Sequence, residues 1–272
     1  MRTTETDPRE YDQPRPGQSG TMGVLHMRTK TTKAGDHLDA DIYPVIDWQY
    51  SREAKRRGRT TEQMDRANFR HAQRRLTQLA NANFSDGDLI CHLTMAGECS
   101  FDEFQKIKRN FMDRLRKRFK AAGVKMEYLG IIESTNEGRR HHLHMLMRGG
   151  ALSRDDVEKL WGQGTANVDR VQTKFEDRGL EGFTRYITRH KDTQEKLMRR
   201  KWFSSKGLKQ PKTTISDRKF SRGAAARIEK AVREDAQREF EKRYPGYRLV
   251  EYEIRYSEFL PGVYIHAHMR RN

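Results

Sequence analysis

The stretch that most constrains this chain runs from Met126 to Met147. Met126-Glu127-Tyr128-Leu129-Gly130-Ile131-Ile132-Glu133 reads as a strand, and His141-His142-Leu143-His144-Met145-Leu146-Met147 reads as another. Between them, Thr135 to Arg140 holds Asn, Glu and Gly, which suits a tight hairpin turn. Side chains alternate along a strand, so His142 and His144 share one face while Leu143, Met145 and Met147 share the other. The apolar face needs helices over it; the histidine face is left to bind something. In an antiparallel hairpin of these lengths Glu133 falls opposite or diagonal to the two histidines. Two imidazoles and a carboxylate make an N,N,O donor set with open positions. That set suits Mg²⁺, Mn²⁺ or another divalent ion that must also hold substrate oxygens.

The flanking sequence supplies a sheet and its helices. Asp88 to Met95 reads as a strand, with His92 expected to be a satisfied sheet histidine. Ser100-Phe101-Asp102-Glu103 is a capping box, and Phe104, Ile107, Phe111, Leu115 and Phe119 recur at helical spacing after it. Ser153 caps a further helix to about Trp161, and Thr165 to Val171 reads as a strand. Phe183, Tyr186, Ile187 and His190 share one side of a following helix. The order implies an α+β fold: an antiparallel sheet of about five strands with helices packed on one face.

Lys and Arg outnumber Asp and Glu by 55 to 38, a net charge of +17 that favours a polyanionic partner. Lys196 to Lys212 has no acidic residue, and sets Arg200, Lys201, Lys206 and Lys209 around Trp202 and Phe203. Basic residues interleaved with aromatics suit single-stranded DNA, by phosphate neutralisation and base stacking. Cys91 and Cys99 form neither a disulfide framework nor a CxxC zinc pair, so a reduced cytoplasm is the expected setting. No apolar run reaches the ~20 residues of a membrane-spanning helix.

His142-Leu143-His144 resembles the His-hydrophobic-His motif of the HUH endonucleases, and Glu133 matches the carboxylate that a preceding strand supplies in their rolling-circle replication initiators. Phe183 to Lys191 resembles the tyrosine helix of that superfamily, and Arg200 to Pro211 the segment that closes its catalytic domain. Leu89 to Thr94 is similar to the strand that opens it. The resemblance, from about Asn81 to Pro211, implies the HUH endonuclease fold. It also implies a divalent metal on Glu133, His142 and His144, with Tyr186 as nucleophile and Arg189 and Lys191 beside it. The implied function is nicking and joining of single-stranded or hairpin origin DNA, through a 5′-phosphotyrosine and a free 3′-OH, with a host helicase as a possible partner. The chain departs from the pattern in two places. Arg189 stands for the lysine three residues after the tyrosine, and His190 stands where two-tyrosine initiators place the second.

The division that follows is a disordered arm over 1–24, a helical extension over 25–83, a catalytic domain over 84–212, and a helix with a strand hairpin over 213–272. His266-Ala267-His268 repeats the histidine spacing but lacks an evident Glu-bearing hairpin partner, so ordinary strand histidines are expected there. The competing readings are a non-catalytic DNA-binding or repressor relative, an HUH relaxase or transposase, and a structural zinc site.

Overall fold

The computed structural model describes residues 25–46, 62–135, 140–173, 177–190, 202–256 and 262–272, the side chains of 62–64 excepted. It is an α+β protein with two five-stranded antiparallel sheets. The chain divides into two compact units, one of residues 72–210 and one assembled from 1–71 with 211–272.

The continuous unit contains the hairpin. Its strands are β3 (Leu89–Thr94), β4 (Tyr128–Thr135), β5 (Arg140–Met147), β6 (Ala166–Arg170) and β7 (Phe203–Ser204), in the sheet order β6-β3-β5-β4-β7. Helices α2 (Phe101–Ala121) and α3 (Arg154–Trp161) follow β3 and β5. Both begin where the sequence places them: Ser100 and Ser153 each accept from the backbone N–H three residues on, completing capping boxes with Glu103 and Asp156. Gly162 ends α3 in the left-handed conformation, at φ 57°. Phe104, Phe111, Leu115 and Phe119 of α2 pack with Trp161 on Cys91, Leu93, Leu143, Met145 and Met147. Burying these side chains is the main favourable term for this unit, about 1.5–3 kcal/mol for each large one. Arg114, read as part of an exposed basic face, instead donates to the Leu160 carbonyl at the end of α3. Lys108 lies over the Phe203 ring.

The opposite sheet face is not left bare. Helix α4 (Glu181–Ile187) rests against it through ring contacts of Phe183 and Tyr186 with His92. Helix α1 (Glu62–Asn83) holds α4 by hydroxyl and amide contacts, Thr77 to Thr184 at 2.6 Å and Gln73 to Thr188 at 2.7 Å.

The second unit is a departure from the sequence reading. Within the expected helical extension over 25–83, residues 25–46 form two strands, β1 (Leu25–Ala34) and β2 (His37–Ile46). They join β8 (Lys212–Ser216), β9 (Tyr247–Tyr256) and β10 (Val263–Arg271) in the order β8-β1-β2-β10-β9. The core face of β1 was hard to see because it buries Thr29 and Thr31 rather than aliphatic residues. Thr31 meets the Tyr244 hydroxyl at 2.8 Å. Arg222 to Arg243 is two helices, α5 (Arg222–Lys230) and α6 (Arg233–Arg243), because Ala231 is extended at ψ 147°. Phe220, Ile228 and Phe240 cover Leu38, Ala40, Ile42, Ala267 and Met269. His266 and His268 are not without carboxylates: β9 sets Glu253 opposite His266, and β2 sets Asp41 and Asp39 opposite His266 and His268. The expected arm over 1–24 lies outside the described residues.

Candidate active site

Register places the histidine face. Glu133 pairs across from His142, His92 across from His144, and Thr94 across from His142, so all five side chains project from one side of three adjacent strands. Glu133 and His144 are each 5% exposed. His144 Nε2–H donates to Glu133 Oε2 at 2.8 Å, and that bond holds the Glu133 carboxyl below the usual carboxylate range. With Nε2 donating, the neutral His144 ring accepts at Nδ1, where His92 Nδ1–H donates at 2.8 Å. Burial first, then the neighbouring His144, push His92 down to about 4. His142 Nδ1 lies 3.0 Å from the Thr94 hydroxyl, and its ring is parallel to His144 with centroids 6.5 Å apart. Burial is the first cause lowering its pKa as well.

Tyr186 stands over this face. Its ring meets His92 edge-on at 5.1 Å and His144 edge-on at 6.0 Å. The Arg189 guanidinium lies 4.0 Å from the ring centroid. The buried stripe of α4 is Thr184 and Ile187; Tyr186 is 43% exposed. The expectation that Tyr186 and Ile187 share one side therefore does not hold. A tyrosine serving only the core would be on the buried side. Helix α4 ends at Ile187, so His190 leaves the helix and turns back to bring Nε2 within 3.3 Å of Glu133 Oε1. Arg189 Nε donates to His190 at 2.7 Å.

Of the residues singled out from sequence, Glu133, His142, His144, Tyr186 and Arg189 share this site. Trp202 is half-buried, and Lys206 and Lys209 are exposed in the segment after β4's partner strand β7. Lys191, Arg200 and Lys201 lie outside the described residues. His92 belongs to the site rather than merely to the sheet, which alternation from Thr94 would have indicated. His190 was placed on the tyrosine face by helical spacing, but nothing in the sequence marks its reach to Glu133.

The donors suit a divalent ion in kind: imidazole nitrogens and a carboxylate on one face, with His144 Nε2 and the Glu133 oxygen at a spacing that two ligands of one ion also adopt. They are satisfied by one another as they stand. Among the described residues, no three His, Cys, Asp or Glu side chains converge on a metal position. Coordination would replace the His144–Glu133 hydrogen bond.

A tyrosine hydroxyl beside paired histidines and a carboxylate, on a sheet of a strongly basic chain, is the equipment of a protein that handles phosphodiesters. Residues 88–191, less than half the chain, match the sequence model of a family of replication-associated proteins, described by its ORF2 member. The match supports a role in replication initiation. No curated protein and no solved structure matches the chain. No helix among the described residues is long and apolar enough to cross a membrane.

Proposed function

We propose that the chain initiates rolling-circle replication by nicking and rejoining single-stranded origin DNA with Tyr186. The observation that carries this reading is the exposed Tyr186 ring held edge-on to His92 and His144 above Glu133. Its hydroxyl oxygen attacks phosphorus, the P–O3′ bond breaks, and the released 3′ oxygen takes up a proton. The products are a 5′-phosphotyrosine and a 3′-OH that primes synthesis; the linkage keeps the backbone bond available for rejoining.

Glu133, His142 and His144 are the residues that would hold a divalent ion, Mg²⁺ or Mn²⁺, which when bound polarises the scissile phosphate. His92 supports that role. Whenever His144 Nε2 serves as a lone-pair donor its proton resides on Nδ1, and His92 Nδ1 is placed to accept it. Arg189 lies across the Tyr186 ring, where its fixed positive charge favours the phenolate and meets a phosphate oxygen. Lys191, Arg200, Lys201, Trp202, Lys206 and Lys209 complete the reading as groups that track the DNA strand.

The test is a covalent adduct. Protein mixed with single-stranded DNA of its own replicon should give a protein–DNA species on a denaturing gel with Mn²⁺ and none with EDTA. Tyr186→Phe should remove it. An adduct that survives that change would assign the nucleophile elsewhere, and tight DNA binding with no adduct on either strand would overturn the nicking reading.

A further inference from the structure

The split unit repeats the plan of the unit that carries the candidate active site. In the continuous unit a strand (β3) is followed by a helix (α2) and then by a hairpin (β4–β5), and four strands lie in the order β6-β3-β5-β4. In the split unit β2 has the place of β3, helices α5 and α6 precede the hairpin β9–β10, and the strands lie in the order β1-β2-β10-β9. Every neighbouring pair in both sets is antiparallel. In each, helices cover one face, and the second hairpin strand carries His-x-His on the other: His142 and His144 in β5, His266 and His268 in β10.

The register repeats too. Glu253 stands opposite His266 as Glu133 stands opposite His142. Where His92 and Thr94 flank the histidines of β5, Asp39 and Asp41 flank those of β10. Glu251 lies opposite His268, just before a bulge in the β9–β10 pair.

We propose that His266, His268 and Glu253 form a second divalent-cation site, oriented by Asp41 and Asp39 and suited to a first-row transition ion. His266 Nδ1–H donates to Asp41 Oδ1 at 2.9 Å, and His268 Nδ1–H donates to Asp39 Oδ1 at 2.7 Å. A carboxylate on Nδ1–H fixes the tautomer and leaves Nε2 as the lone-pair donor, the arrangement that orients metal-binding histidines. His268 Nε2 lies 3.2 Å from His37 Nδ1, so a third imidazole nitrogen sits within the spacing of one coordination sphere. His37, Asp39, Asp41 and His268 are each less than a tenth exposed. Imidazole-rich donors of this kind select Mn²⁺, Co²⁺, Ni²⁺ or Zn²⁺ over Mg²⁺. Glu253 is engaged by Arg255 at 2.6 Å and would exchange that partner for the ion. This site needs no tyrosine and stands whether or not the chain nicks DNA.

The experiment is a Co²⁺ titration of the metal-free full-length chain, read by calorimetric stoichiometry and visible absorption. The H142N/H144N variant should still bind an ion, with the absorption of a nitrogen-rich site. Adding H266N/H268N should abolish it. Asparagine keeps an N–H at the position of Nδ1 for the aspartates but has no atom at Nε2, so the hydrogen bonds survive while the ligands go. Unchanged binding in an H266N/H268N chain with native circular dichroism would overturn the proposal. So would a complete loss of binding in H142N/H144N alone. Should the substituted chain fail to fold, crystals of the unaltered protein soaked in Co²⁺ decide the matter at the cobalt edge. An anomalous peak at His266 and His268 supports the site, and its absence there sinks it. The adduct assay with Tyr186→Phe is unaffected by any of these outcomes, so the two readings fail separately.

Discussion

Gly130→Ala should loosen the hairpin that presents His144. Gly130 lies on β4 between Phe203 of β7 and the β5 strand, and it is not there for a turn. A Cβ built on it would sit 2.5 Å from the His144 carbonyl oxygen, roughly 1 Å inside ordinary van der Waals contact, and would also collide with the Phe203 ring. The ring can swing away, although it is bracketed by Tyr128 and the Lys108 ammonium. The carbonyl cannot, because it belongs to the central strand of the sheet. Overpacking against backbone should cost about 3 kcal/mol, at the upper end for added methyl groups. For a unit of this size that corresponds to a fall in melting temperature of ~10 °C. The assay is thermal and urea unfolding of Gly130→Ala beside Gly130→Ala/Phe203→Leu. Phe203→Leu should recover only the part due to the ring. A single variant within ~0.5 kcal/mol of the parent, or a double variant fully restored, would refute the assignment of the strain to the His144 carbonyl.

Other perturbations separate chemistry from stability. Glu133→Gln keeps the shape but removes the charge shared by His144 and His190, so Mn²⁺ affinity should fall by at least ~10-fold and adduct formation with it; titration calorimetry reads the first and gels the second. Asp88→Ala strips a buried carboxylate that accepts from the Ser85 and Gly149 backbone and from Arg148, and should cost ~3 kcal/mol or more in urea unfolding. His37 and His92 are each pushed from 6.5 down to about 4, so the unfolded chain takes up their protons first. Stability in EDTA should therefore be full above pH 6.5 and fall as pH drops towards 4. The loss is at most ~3 kcal/mol for His37 and less for His92, whose ring is partly open to solvent. A melting temperature that stays flat or rises on acidification through that range would contradict the burial of these rings as neutral groups.

The hairpin was legible because everything that fixes it is local. Alternation puts His142 and His144 on one face, and a turn of a few residues brings Glu133 across from them. Helices α2 and α3 were equally plain, since their caps and stripes lie within a turn or two of each other. The split unit was not, because β2 finds its neighbour in β10, pairing Ile42 with Ile265. No local pattern encodes a partner that far along the chain. The same distance hid the carboxylates beside His266 and His268. Two of them come from β2, and Glu253 becomes recognisable only when the register of β9 on β10 is known. His190 illustrates a different limit. Helical periodicity extends naturally through it, whereas the chain leaves the helix after Ile187, and that departure is what lets its ring reach Glu133.

The pairing of β2 with β10 also dictates an order of events during synthesis. The β1–β2 hairpin leaves the ribosome early, but one side of β2 has no strand to meet until the last hairpin has been made. Residues 72–210, whose contacts are internal, can fold in the interval. For that time the nascent chain carries a finished nuclease-like unit beside a half-built sheet with an open edge. A stalled or truncated chain lacking β10 should therefore retain the Tyr186 unit yet be prone to strand-to-strand association, and solubility rather than chemistry would be the first property to fail.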